Sequence, residues 1–185
     1  MKRPRVLIAC VGNIFLGDDA FGVEVARRLS SRELPGEVRV VDFGIRGLDL
    51  TYALLDGYEA VILVDATPRG GTPGTLYVLE PDVNGLPGPG AACLVEGHSM
   101  DPVKVLSVVG AMGGKVERLL LVGCEPSTSD DPEEMRDGLS EPVLAALDEA
   151  VVLIESLAAR LLRGEGVGSG GDCTVPGKEV GTCRD

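Results

Sequence analysis

The chain has 185 residues, 44% of them apolar, only 3% aromatic and none tryptophan. That length suits one domain of about 100–150 residues plus a tail, with a core built from Val, Leu, Ile and Ala. The formal net charge of −12 argues against nucleic acid and anionic membranes as partners, since both need clustered Lys and Arg; a basic protein segment or a metal cation remains compatible.

The basic start Met1-Lys2-Arg3-Pro4-Arg5 leads into Val6-Leu7-Ile8-Ala9-Cys10-Val11, and the apolar run stops at Gly12-Asn13 without a small-residue cleavage pattern. It reads as a first buried strand, Arg5 to Val11, rather than a signal peptide. A helix follows from about Ala20 to Ser31, ended by Pro35-Gly36. Val38 to Val41, Ala60 to Val64 and Leu119 to Val122 read as further strands buried on both faces. Leu48 to Leu55 forms a short second helix. Gly74 to Leu79 alternates and lies too close after Asp65 for a helical crossover, so it is expected as an antiparallel edge strand. Pro81 to Gly90 is a Pro- and Gly-rich loop. Asp101-Pro102 starts a third helix, with Val103, Leu106 and Val109 on its buried side. The last helix spans about Glu141 to Arg163, with Val143, Leu144, Leu147, Val151, Ile154, Leu157 and Leu161 on one face.

Alternating strands and helices give an α/β fold. We expect a three-layer α/β/α domain over residues 1–163, with a five-stranded, mainly parallel twisted sheet and one antiparallel edge strand. Residues 164–185 lose all pattern and read as a disordered tail. No stretch reaches the roughly 20 apolar residues of a membrane span. The five cysteines, Cys10, Cys93, Cys124, Cys173 and Cys183, are odd in number and come without a secretory signal. They are expected as free thiols in a reducing cytoplasm, although Cys173 and Cys183 could also bind metal or pair. No CxxC is present, which argues against structural zinc.

In open α/β sheets ligands collect at the carboxyl ends of strands. That rule selects the loop Gly12 to Gly22, with Asp18 and Asp19; Asp65, after the third strand; and His98, the single histidine, before the third helix. The glycines at 12, 17 and 22 fit neither G-x-G-x-x-G nor a P-loop, and adjacent acids repel phosphate. Each residue also has a plain structural reading. Asp18 or Asp19 can cap the first helix, Asp65 can close a turn with Thr67 and Pro68, and His98 can be a solvated loop residue. Asp42 and Glu125 are further strand-end acids, either caps or secondary members of a site. Taken together, Asp19, Asp65 and His98 are two carboxylates and an imidazole, a suitable divalent-metal set with positions left open for water or substrate.

The stretch Val11-Gly12-Asn13-Ile14-Phe15-Leu16-Gly17-Asp18-Asp19-Ala20-Phe21-Gly22 resembles the opening signature of the [NiFe]-hydrogenase maturation endopeptidases. Asp42-Phe43-Gly44-Ile45-Arg46-Gly47 is similar to that family's D-G-G-T-x-G loop, with departures at Phe43 and Ile45 and an arginine, Arg46, at the open position, which point to a subgroup with its own substrate. Val64-Asp65-Ala66, His98-Ser99-Met100 and Val122-Gly123-Cys124-Glu125-Pro126 match three further segments in order, over about Val6 to Leu162. The resemblance implies an endopeptidase that removes a C-terminal extension from the hydrogenase large-subunit precursor after nickel insertion. It places the nickel contacts on Asp19, Asp65 and His98, and nickel is then expected to arrive with the substrate. Asp19 or Asp65 is the implied general base of an aspartic-type hydrolysis, unless the metal activates the water. A monomer is the default state. The rival readings are a non-catalytic nickel-binding maturation chaperone, a general peptidase, and a phosphoacceptor receiver domain, which needs a Lys that the segment after Leu121 lacks.

Overall fold

The computed structural model describes residues 5–81, 102–127 and 138–165. In chain order the elements are β1 (Val6–Val11), a 3-10 turn (Gly17–Ala20), α1 (Phe21–Leu29), β2 (Val38–Gly44), α2 (Gly47–Leu55), β3 (Ala60–Ala66), β4 (Leu76–Leu79), α3 (Pro102–Ala111), β5 (Leu119–Cys124) and α4 (Glu141–Leu162). The strands form one sheet in the order β2-β1-β3-β5-β4. β1 is parallel to β2 and β3, β3 is parallel to β5, and β4 runs antiparallel at the edge, as expected.

Alternate residues of the central strands face opposite layers. Ile8, Ile62 and Leu120 pack with Phe21, Val25 and Leu29 of α1 and with Leu147, Val151 and Ile154 of α4. Leu7, Val61 and Leu119 face the other way, onto Leu50 and Leu54 of α2 and Val105 and Val109 of α3. These two cores make the three-layer arrangement. Each fully buried aliphatic side chain stabilises it by about 1.5–3 kcal/mol.

Three local expectations need correction. β2 is not buried on both faces: it is an edge strand, with Val38, Val40 and Val41 only partly covered and Arg39 exposed. Leu144 points to solvent, because one residue advances a helix by about 100° from the Val143 side; Ala146, Ala150 and Ala158 complete the buried face instead. On α3 the expected buried side stands for Val109, in the core, and Leu106, half-buried against it, and Val105 joins them. The strands also run further at their carboxyl ends than the apolar runs do. Asp65 therefore lies within β3, opposite Gly123 of β5, and the N–H of Thr67 donates to the Cys124 carbonyl at 2.8 Å instead of closing a turn.

The order of winding fixes the functional edge. The chain leaves β1 through α1 to reach β2 on one side, then returns through α2 to β3 on the other. Right-handed crossovers in opposite directions put α1 and α2 on opposite faces. A crevice therefore opens between the carboxyl ends of β1 and β3. Among the described residues no helix is long and apolar enough to cross a membrane. The expectations for Asp101, for the Val103 side chain, for the Pro81–Gly90 loop beyond its first residue and for the tail from 166 onward lie outside the described residues.

Candidate active site

The chain doubles back directly after β1. Gly12 has φ +146°, and a Cβ there would sit 2.0 Å from the Asp19 carbonyl oxygen, so only glycine lets the two segments touch. The Asn13 N–H donates to Asp19 Oδ2 at 2.9 Å, and the Asp19 N–H donates to the Leu16 carbonyl at 3.2 Å. Asn13 Oδ1 in turn accepts from the Phe15 N–H at 3.0 Å. At the start of α1, a Cβ on Gly22 would lie 2.1 Å from the Val11 carbonyl oxygen and 2.6 Å from that of Val64. The helix is thus pressed onto both central strands, and the turn ahead of it hangs over their carboxyl ends.

This packing brings Asp19 and Asp65 together, each half-buried. Burial pushes the Asp65 carboxyl up to about 8, the negative charge of Asp19 adds to the rise, and a hydrogen bond from the Ala66 backbone opposes it. Burial also raises the Asp19 pKa, against the stabilising Asn13 N–H. Two partly buried carboxylates within electrostatic reach of one another resist double ionisation. His98 lies outside the described residues. Among the described residues no group of three or more His, Cys, Asp and Glu side chains could hold a metal; the acids here form a pair.

The other acids near the strand ends each hold hydrogen bonds of their own. Asp18 has different partners from Asp19. It accepts hydrogen bonds from the Ser127 N–H (2.8 Å), the Ser140 N–H (2.6 Å) and Ser140 Oγ (2.8 Å), tying the 3-10 turn to the start of α4. It does not cap α1, whose N-cap is Ala20 without a side-chain bond. Glu125 is buried and accepts from the backbone N–H groups of Arg69 and Gly70 (3.0 Å each) and from Tyr77 Oη (2.7 Å). Burial raises its pKa, but Tyr77 and the backbone donors more than offset that and hold it below the usual carboxylate range. Arg69 also stacks over the Tyr77 ring, 5.5 Å from its centre. Asp42 Oδ1 accepts from the Gly44 N–H at 2.8 Å and shapes the turn after β2. Sequence reasoning misses the orienting role of Asn13, which acts through its backbone; the one hint is its position next to the glycine that ends β1.

Comparisons with known proteins place the sequence and the fold. A family model described as hydrogenase maturation protease matches residues 23–157. The chain is 33% identical to the hydrogenase expression/formation protein HupD of Rhizobium leguminosarum bv. viciae, over 89% of this chain and 77% of that one. It is 30% identical to the hydrogenase 2 maturation protease of Escherichia coli, over 80% and 93% respectively. Among solved structures, the hydrogenase maturating endopeptidase HybD from E. coli superposes with a TM-score of 0.65 at 28% identity, covering 86% of this chain and 94% of that one. A hydrogenase 2 maturation peptidase from a Thaumarchaeota archaeon gives 0.64 at 32% identity, covering 85% and 99%. A crevice that pairs two acids at the β1–β3 switch is thus found in a chain whose sequence and fold both match known maturation peptidases: this protein belongs to the hydrogenase maturation protease family.

Proposed function

We propose that the protein is the cytoplasmic endopeptidase that removes the C-terminal extension of a [NiFe]-hydrogenase large-subunit precursor once nickel has been inserted. The relatives' names supply the substrate class, and the Asp19–Asp65 pair carries the reading. Burial and mutual repulsion hold a proton on the pair near neutral pH. A divalent cation placed between the two carboxylates relieves the same repulsion. A precursor that presents nickel in an incompletely coordinated thiolate site offers that cation, with His98 as a third contact. A nickel-free precursor offers none, and the buried acids have nothing to receive. Discrimination between the two forms then arises from a penalty already built into the empty site.

For hydrolysis, the docked metal fixes the scissile peptide beside the pair. A carboxylate of Asp19 or Asp65 accepts a proton from water as the water oxygen attacks the peptide carbonyl, and the proton passes to the departing amine as the C–N bond breaks. No covalent nucleophile is required. The expected result is that Asp19→Asn and Asp65→Asn proteins, folded by circular dichroism, leave nickel-loaded precursor uncut in a mass-spectrometric assay. Processing by Asp65→Asn at the wild-type rate contradicts the assignment. A non-catalytic nickel carrier of the same fold is the rival; it would bind the precursor and never shorten it.

A further inference from the structure

Eight large hydrophobic side chains are more than half exposed among the described residues, and five of them, Ile14, Phe15, Ile45, Leu48 and Tyr52, lie on two adjoining segments. The segments are joined where the Gly12 N–H donates to the Gly44 carbonyl at 3.0 Å. Ile14 and Phe15 stand between β1 and the turn that carries Asp19. Leu48 and Tyr52, four residues apart, form one stripe along α2, and Ile45 lies just ahead of the helix, before its N-cap Arg46. The opposite side of α2 already buries Leu50 and Leu54. A surface helix is normally apolar on one side only, so the second apolar stripe calls for a partner. Scattered exposed hydrophobics need no explanation, whereas a contiguous set of this kind does.

We infer that this apolar rim is the docking surface for the folded hydrogenase precursor, which covers it with an apolar patch beside its scissile segment. The inference rests on the proposed function for the identity of the partner. Two observations select that partner over a second copy of this chain. Ile14 and Phe15 follow Asn13, whose N–H donates to Asp19 Oδ2, so a copy seated on them would crowd the approach to the acid pair. The net charge of −12 also sets copies of the chain against one another. The two departures from the family loop pattern, Phe43 and Ile45, and the residue at its open position, Arg46, divide accordingly. Phe43 turns inward to the α2 core, opposite the irregularity between Cys10 and Val11 in the β1–β2 register. Arg46 folds back, its Nε on the Phe43 carbonyl and a terminal nitrogen on that of Asp42. Only Ile45 of the three presents an apolar side chain to a partner, and the braced loop holds it there without help from substrate. Ile45 is thus the specificity contact of this subgroup, and Arg46 supports it.

The test uses full-length protein and nickel-loaded large-subunit precursor. Binding is measured by calorimetry in an Asp65→Asn background, and cleavage in the otherwise wild-type enzyme. Ile45→Ser/Leu48→Ser and Phe15→Ser should each weaken precursor binding and raise KM by roughly tenfold or more, as expected for lost apolar anchors, with the melting temperature unchanged. Val152→Ser, an equally exposed site on α4, should change neither. Wild-type affinity in the rim variants overturns the proposal while leaving the proposed function intact. Rim-dependent binding without any cleavage leaves the docking surface standing and removes the peptidase reading. A dimer that the rim variants dissolve assigns the surface to a second copy and overturns the proposal. Protection of the rim from hydrogen exchange that vanishes on deletion of residues 166–185 overturns it as well.

Discussion

Replacing Asp65 by Asn should abolish cleavage and stabilise the protein, and the stabilisation should depend on pH in a defined way. Folding raises the Asp65 pKa from 3.8 to about 8. Between those values the folded state keeps a proton that the unfolded chain releases, so the wild-type protein loses stability as pH rises from about 4 to about 8. At pH 7 the gap between pH and the unfolded pKa is about three units, which at 1.36 kcal/mol per unit gives roughly 4 kcal/mol. Water drawn into the crevice as the acid ionises reduces this, so the expected gain for Asp65→Asn is about 1–4 kcal/mol at pH 7. The amide is close in shape and does not titrate. For a chain of this size each kcal/mol moves the melting temperature by roughly 2–4 °C. Urea unfolding of both proteins from pH 3.5 to 8.5 reads the effect directly. The curves should meet near pH 3.5 and separate progressively above it, with the variant the more stable. A variant less stable than wild type at pH 7, or a difference independent of pH, would refute the view that the site is costly to keep empty and charged.

Further outcomes follow from other residues. Nickel binding must displace the proton on the acid pair, so Ni2+ affinity measured by calorimetry should rise by up to about tenfold per pH unit below pH 8 and level off above it; a flat profile from pH 6 to 8 would remove the proton competition. His98→Ala should slow cleavage of nickel-loaded precursor, and a variant as fast as wild type would leave His98 a solvated loop residue. Asp18→Ala strands the donors of Ser127 and Ser140 and should lower stability by about 1–3 kcal/mol, read from the urea midpoint, with little change in Ni2+ affinity. Gly22→Ala would put a methyl 2.1 Å from the Val11 carbonyl oxygen; relief requires α1 to move off the sheet, which should cost about 1–3 kcal/mol or more and displace Asp19, visible as a lower melting temperature together with reduced cleavage.

The parts of the fold legible in the sequence are those where one physical effect dominates. β1, β3 and β5 are central, so continuous apolar runs mark them. β4 is recognisable because it alternates and because the connection after Asp65 is too short for a crossover. β2 carries the same apolar run as the central strands, and nothing local says that it lies at an edge; strand order is a property of the whole sheet. The apolar runs stop short of the carboxyl ends of β2, β3 and β5 because Asp42, Asp65 and Gly123 interrupt the hydropathy while the backbone ladder continues through them. The strand-end rule selects Asp65 and the loop that carries Asp18 and Asp19 without knowledge of any relative. It cannot separate Asp18 from Asp19, because the partners of Asp18 are 109 and 122 residues away. Their roles divide by which way a single turn points each side chain, and that turn is set by the contact of Gly12 with Asp19 and of Gly22 with both central strands.

The central claim is that nickel carried by the substrate permits cleavage. Its most direct test is incubation of the protein with nickel-loaded and nickel-free large-subunit precursor, with intact masses recorded over time. The account predicts loss of a C-terminal peptide from the loaded form and an unchanged mass for the nickel-free form. Equal cleavage of both forms would contradict it.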